Sequence, residues 1–181
     1  MTPILVETQG LKRYFKTPYG KLHAVDGIDL KIEKGKTLGV VGESGCGKST
    51  LGRALLKITK ITGGKVIYDG EDITRLNPIQ MRRYRTRMQM IFQDPYSSIN
   101  PRMTVRQLIA EPILINRKLR TRNDINRKLK ELMDVTGIAS RLENAYPHEL
   151  DGGRRQRVGI ARALSVDPEF IVCDEPVSAL D

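Results

Sequence analysis

Nine residues, Gly42-Glu43-Ser44-Gly45-Cys46-Gly47-Lys48-Ser49-Thr50, decide how this chain is to be read. Gly42, Gly47, Lys48 and Ser49 fit the spacing G-x-x-x-x-G-K-[ST], in which a glycine-rich turn joins a strand to a helix. Residues 37–41, TLGVV, are a short apolar run suited to a buried parallel strand. After the turn, Leu51, Ala54, Leu55 and Ile58 recur at helical spacing. Such a turn aims consecutive backbone N–H groups and the positive end of the helix dipole at one point, where phosphate oxygens would sit. Gly42, Gly45 and Gly47 permit close backbone approach. Lys48 would reach the β- and γ-phosphates and Ser49 would offer an oxygen to Mg²⁺. All of residues 42–50, with Ser44, Cys46 and Thr50 included, form the candidate nucleotide-binding stretch.

The 181 residues are 39% hydrophobic and 29% charged, enough for one globular domain with a sizeable core and room for a small subdomain. No apolar run approaches the roughly 20 residues that span a bilayer, and the start MTPILVETQG lacks the basic and apolar segments of a signal peptide. A cytoplasmic protein is expected. Cys46 and Cys173 stand at neither metal-ligand nor disulfide-framework spacing and are read as small packing residues. The net charge of +10 concentrates in Arg82, Arg83, Arg85 and Arg87 and again between Arg117 and Lys130. Such runs suit nucleic acid, anionic lipid or a solvated face. No aromatic-interleaved motif accompanies them, so a solvated face is expected, and no nucleic acid partner.

Residues 4–33 alternate in part, with Ile4, Val6, Val25, Ile28, Leu30 and Ile32 apolar and Gly10, Pro18, Gly20 and Gly27 as punctuation. The pattern predicts antiparallel strands. Tyr14 and Phe15 stand among polar neighbours; an aromatic there suits stacking on a nucleobase and equally a half-buried strand. Residues 65–68 followed by Asp69-Gly70 predict a strand entering a hairpin turn. Residues 72–87 predict a basic surface helix and loop, and residues 88–92 a short apolar strand ending in Gln93-Asp94-Pro95. From residue 97 to 137 helical spacing dominates. Thr104 is an N-cap candidate, Pro112 marks a break, and Ile125, Leu129, Leu132 and Met133 line one face before Gly137 stops the helix. Residues 97–150 are accordingly expected to form a helical subdomain inserted between strands.

Asp151-Gly152-Gly153 precedes a predicted helix over residues 154–164, with Val158 and Ala161 inward. Residues 170–173, FIVC, read as a buried strand that delivers Asp174 and Glu175 to its C-terminal edge. In open α/β sheets ligands bind at that edge, so the pair is expected to face the phosphate loop. A buried structural pair is the alternative reading. Two adjacent acids there are hard to satisfy without a cation, which favours Mg²⁺ and water chemistry.

Together these residues resemble the ATP-binding subunits of ABC transporters over about residues 5–181. The wording FQDPYSSINPRMTV, YPHEL, RQRVGIARAL and CDEPVSALD is similar to the oligopeptide and dipeptide importer ATPases. The resemblance implies an α/β fold: a P-loop NTPase core of the ABC type, its mixed sheet carrying antiparallel N-terminal strands, with the helical subdomain inserted. It implies ATP and Mg²⁺ as ligands. Residues 42–50 would be the Walker A loop. Gln93 would contact Mg²⁺ and the attacking water, Asp174 would hold Mg²⁺ through water, and Glu175 would be the general base, with Lys48 neutralising charge on the γ-phosphate. Tyr14 matches the aromatic that stacks on adenine, and residues 178–181 resemble a loop at the dimer interface. In this family two ATP-binding subunits, alike or different, sandwich two ATP molecules. Their closure drives transmembrane permease subunits, to which they bind peripherally on the cytoplasmic side of the membrane.

Two features depart from that family. Its signature motif reads Leu-Ser-Gly-Gly-Gln, whereas this chain has Leu150-Asp151-Gly152-Gly153-Arg154. The family's serine donates to the γ-phosphate of the opposite ATP, and an ionised aspartate cannot donate. Repulsion of about 4 kcal/mol per charge pair at ~4 Å and an effective dielectric of about 20 exceeds the roughly 1 kcal/mol of a lost hydrogen bond. Aspartate is nevertheless as good an N-cap as serine, and Arg154 is placed to neutralise it in part. The second departure is the end at Asp181, ahead of the region where a switch histidine follows; neither His23 nor His148 matches it. Nucleotide binding with weak hydrolysis, and a sheet edge prone to association, are expected of these residues alone. Two other readings remain: a non-catalytic nucleotide-binding partner subunit, which the altered signature suits, and a soluble ABC protein acting on nucleic acid, which the charge suits.

Overall fold

The computed structural model describes residues 2–94, 98–116, 119 and 121–175. The chain divides into two compact units, Met1–Arg83 and Tyr84–Asp181. In the first, β1 (Ile4–Thr17) and β2 (Gly20–Glu33) make a long antiparallel hairpin. Strands β3 (Gly63–Tyr68) and β4 (Glu71–Asp72) extend it to a four-stranded sheet of order β2-β1-β3-β4. Val6, Leu11, Val25, Ile32, Val66 and Tyr68 are buried, while Ile4 and Ile28 stay at the surface. The register shifts between Thr8 and Leu11. There the Thr8 hydroxyl donates to the Ile28 carbonyl (2.9 Å) and accepts from the Leu30 N–H (3.1 Å), replacing backbone ladder bonds at the bulge. Asp69 and Gly70 both take positive φ and close the β3–β4 hairpin, as their sequence predicts.

Helix α1 (Lys48–Leu55) buries Ala54 and Leu55. Ile58, read as part of its apolar face, lies beyond the helix and is exposed. The helix has already ended, with Lys57 in the left-handed region. A second correction concerns residues 37–41. They form no strand, and Leu38, Val40 and Val41 are 48%, 51% and 97% exposed. A strand exists through a neighbour's N–H and C=O groups, and among the described residues of this unit none pairs with that run. Helix α2 (Pro78–Arg85) opens on a reciprocal cap: Asn77 N–H donates to Gln80 Oε1 and Gln80 N–H to Asn77 Oδ1, both at 2.9 Å. Arg83 on α2 pairs with Glu71 at 2.5 Å.

In the second unit β5 (Met88–Ile91) and β6 (Phe170–Cys173) run parallel, with Met88 beside Phe170 and Ile91 beside Cys173. Arg87 grips Glu169 through two bonds of 2.8 Å just before the pair. Strand β6 is half-buried rather than buried. The helical part holds α3 (Val105–Asn116), α4 (Arg122–Val135) and α5 (Gly152–Leu164) around a core of Val105, Leu108, Ile109, Leu129, Leu132 and Val158. Thr104 caps α3 as expected: its N–H donates to Gln107 Oε1 (2.8 Å) and its hydroxyl accepts from the Gln107 N–H (3.3 Å). Pro112, expected as a break, lies inside α3. An interior proline costs about 3 kcal/mol. Leu108, Ile109 and Ile113, all fully buried around it, offset that at about 1.5–3 kcal/mol each. Gly137 ends α4 with φ +66, and a Cβ there would lie 2.5 Å from the Arg157 guanidinium. No helix among the described residues is long and apolar enough to cross a membrane.

Candidate functional site

The phosphate loop belongs to the first unit. Gly47 is the N-cap of α1 at φ 99 with no side-chain cap, and the first helical bond runs from the Leu51 N–H to the Gly47 carbonyl at 2.8 Å. A helix start without a capping side chain turns its N–H groups and its dipole toward an anion. The Lys48 ammonium folds over the loop, donating to the carbonyls of Gly42 (2.8 Å) and Glu43 (2.7 Å), with Cys46 Sγ at 3.8 Å. Gly47 also abuts β2: a Cβ would stand 2.1 Å from the Ala24 carbonyl oxygen. Gly45 takes φ +79, and Ser49 and Thr50 open the helix. Cys46 and Cys173, read as packing residues, are both exposed. Each sits where the chain leaves regular structure, at the loop and at the end of β6.

Tyr14 lies on β1 of the same unit. Its hydroxyl donates to Asp26 Oδ1 (2.5 Å) and its ring stacks on His23, with centroids 3.9 Å apart and planes 10° from parallel. The bonds from Tyr14 and then His23 hold the Asp26 carboxyl at about 2, below its ordinary 3.8. The same Asp26 bond raises the Tyr14 phenol, and Asp26 likewise raises the Lys12 ammonium. Asp26 favours the folded arrangement above its ordinary value, and that contribution is lost as pH falls through about 2. Asp26 and Lys12 therefore stay charged throughout the neutral range. Asp26 and His23 were not singled out from the sequence. A two-residue turn at Pro18-Tyr19 would have found His23, because pairing Thr17 with Gly20 sets Tyr14 opposite His23.

In the second unit the register of β5 and β6 decides the site. Ile91 lies beside Cys173, and the Asp174 N–H continues the ladder to the Ile91 carbonyl at 2.9 Å. Two residues beyond each strand, Gln93 and Glu175 therefore meet, and Gln93 Nε2 donates to Glu175 Oε2 at 2.5 Å. The Asp174 side of the turn is buried. Glu175, two residues past the end of β6, sits at φ 48 in the left-handed region. Gln156, fully buried on α5, donates to the Phe92 carbonyl at 3.4 Å and so holds the residue before Gln93. It was not read from the sequence; a lone glutamine within a helical run carries no local signal.

Asp151 is the N-cap of α5. Its Oδ1 accepts from the Arg154 N–H (2.7 Å) and its Oδ2 pairs with Arg154 Nε (3.3 Å). The helix includes Gly152 and Gly153 and starts two residues earlier than its apolar pattern suggested. Asp151→Ala is expected to cost about 1 kcal/mol in a urea melt, and Asp151→Ser close to nothing. An equal loss in both would show that the cap contributes little. Residues 178–181 lie outside the described residues.

The loop stretch and Tyr14 thus lie in one unit, and Gln93, Asp174, Glu175 and residues 151–153 in the other. A family model described as ABC transporter matches residues 25–178. The chain is 50% identical to the oligopeptide transport ATP-binding protein OppF of Bacillus subtilis, over all of this chain and 60% of that protein. It is 49% identical to OppF of Salmonella typhimurium, over 94% of this chain and 51% of that one. The chain therefore spans only some 51–60% of the length of these curated relatives. Among solved structures it is similar to the ATP-binding cassette MJ0796, described as a dimeric post-hydrolysis state bound to ADP and Pi. That likeness has a TM-score of 0.92 and 27% identity and covers 98% of this chain and 76% of the other. A match that begins on β2 and runs past Glu175, with half of the positions shared with transport ATPases, places this chain in the ABC transporter family.

Proposed function

We propose that the chain is the ATP-binding and ATP-hydrolysing part of an importer for peptides. It would work as a dimer with a second ATP-binding subunit, bound peripherally to transmembrane permease subunits on the cytoplasmic side of the membrane. The observation that carries the hydrolytic reading is the Gln93–Glu175 bond beside buried Asp174, at the C-terminal end of a parallel strand pair. That end is where ligands bind in open α/β sheets.

In this reading residues 42–50 cradle the ATP phosphates and Lys48 leaves its loop carbonyls for the β- and γ-phosphates. Glu175 accepts a proton from water as the water oxygen bonds to the γ-phosphorus and the bond to the β-phosphate oxygen breaks, giving ADP and phosphate. Gln93 fixes the Glu175 carboxylate and contacts the same water. The donors this reading assigns to the metal, the Ser49 hydroxyl in the first unit and the Gln93 amide oxygen and Asp174 carboxylate in the second, are all oxygen. That chemistry fits Mg²⁺, which keeps waters and draws other ligands from phosphate. Bound there, Mg²⁺ would neutralise charge on the phosphates.

The peptide assignment rests on the relatives at 50% and 49% identity. Its test is uptake in vesicles carrying the complete protein with its permease subunits. Peptide uptake is expected with wild type and lost with Lys48→Ala; uptake unaffected by that change would overturn the proposal. Asp151 also bears on turnover. Even a third of the ~4 kcal/mol repulsion estimated for its charge beside a phosphate corresponds to about tenfold. Asp151→Ser with Arg154→Gln is expected to raise ATP-driven dimerisation by about that factor, read by light scattering; equal values would show that the charge is harmless.

A further inference from the structure

Three side chains of the β1–β2 hairpin converge on one carboxylate. Asp26 Oδ1 accepts from the Tyr14 hydroxyl at 2.5 Å and lies 3.3 Å from Lys12 Nζ, and Asp26 Oδ2 lies 3.2 Å from His23 Nδ1. The Tyr14 and His23 rings are stacked, and the Tyr14 N–H is itself held by the Thr62 hydroxyl at 3.0 Å. A single acid thus fixes both rings of the pair.

Stability does not explain the arrangement. Lys12 and Asp26 are 44% and 46% exposed, and ion pairs in such positions contribute only about 0–1 kcal/mol. Ordering each rotamer-rich side chain costs about 0.5–1.5 kcal/mol. A stack held in advance is useful when something must bind to it, because the ordering cost is then met before binding. Its position says what. His23 precedes Ala24, whose carbonyl faces Gly47 where the phosphate loop enters α1, so the pair stands one residue along the chain from a contact of the phosphate loop.

We propose that Asp26 is a positioning residue for the base of ATP: it locks Tyr14 and His23 into one flat stack, which the adenine extends. The proposal rests on the nucleotide reading given above. It adds that the aromatic surface is set by a carboxylate on the neighbouring strand, so base affinity depends on a residue that does not touch the nucleotide.

Calorimetric titration of the full chain with ATP and with inorganic tripolyphosphate separates base from phosphate. Asp26→Ala is expected to weaken ATP by about five- to tenfold and leave tripolyphosphate unchanged. Tyr14→Phe, which keeps the ring and loses the hydroxyl bond, is expected to do the same. The double variant should be no weaker than the worse single, since both remove one bond. Asp26→Asn, which still accepts from the Tyr14 hydroxyl, should restore most of the affinity. Asp26→Ala that leaves ATP binding intact, or weakens both ligands alike, overturns the positioning role. Tyr14→Ala tests the stacking on which it depends: an unchanged ratio of ATP to tripolyphosphate affinity removes the stacking and the proposal together. The phosphate-loop reading has its own control in Lys48→Ala, which should weaken both ligands.

Discussion

Glu175→Gln is expected to lower ATP turnover by about 10²–10⁴-fold, the range for loss of a general base, while ATP still binds. The amide matches the carboxylate in size and its oxygen can still accept from Gln93 Nε2, so the 2.5 Å contact between positions 93 and 175 survives. The left-handed backbone at residue 175 imposes the same strain on either side chain. Asp174 and the loop at 42–50 are untouched. What disappears is the capacity to take a proton from water. Phosphate release and ATP titration on the complete protein check this; turnover near wild type would remove Glu175 from the chemistry.

Gly47→Ala attacks the other half of the reaction. An added Cβ would meet the Ala24 carbonyl oxygen at 2.1 Å, and φ is 99. That carbonyl is backbone of β2 and cannot rotate away as a side chain would. Strain at such a φ costs about 1–3 kcal/mol and overpacking about 1–3 more, so a loss of about 2–6 kcal/mol is expected. The segment that can yield is the loop itself, and ATP affinity should fall by about 100-fold, equivalent to ~2.7 kcal/mol. Gly64→Ala separates the two effects. Its Cβ would lie 2.1 Å from the Gly10 carbonyl oxygen at φ +74, far from the loop in sequence and inside the sheet. A similar loss of stability is expected there, with ATP affinity of the folded protein unchanged. Wild-type ATP binding by Gly47→Ala would contradict the tight seating of the loop on β2.

The parts legible in the sequence were those written in a few consecutive residues. The loop at 42–50, the Asp69-Gly70 hairpin, the Thr104 cap and the acids after β6 each depend on local geometry, and the structure contains each of these elements. Even the Gln93–Glu175 meeting was within reach, since aligning the runs MQMI and FIVC in parallel sets the two residues opposite. Pairing and burial were harder. Apolarity of residues 37–41 shows what burial would suit them and says nothing of which strand lies alongside. Pro112 breaks helices locally, yet three buried neighbours hold α3 together. Asp26 meets Tyr14 across a hairpin whose register slips between Arg13 and Tyr14. A bulge of that kind leaves no mark in composition or period.

Titration of the complete protein with ATP in the presence of Mg²⁺, beside Lys48→Ala, is the most direct check on the nucleotide site. The Lys48 ammonium now sits 2.8 Å and 2.7 Å from two loop carbonyls, and hydrogen bonds to a charged group are worth about 1.5–3 kcal/mol. Saturable binding by wild type, weakened about 10- to 100-fold by Lys48→Ala, is the predicted result. Equal affinity in the two proteins, or no binding by either, would contradict a phosphate site at residues 42–50.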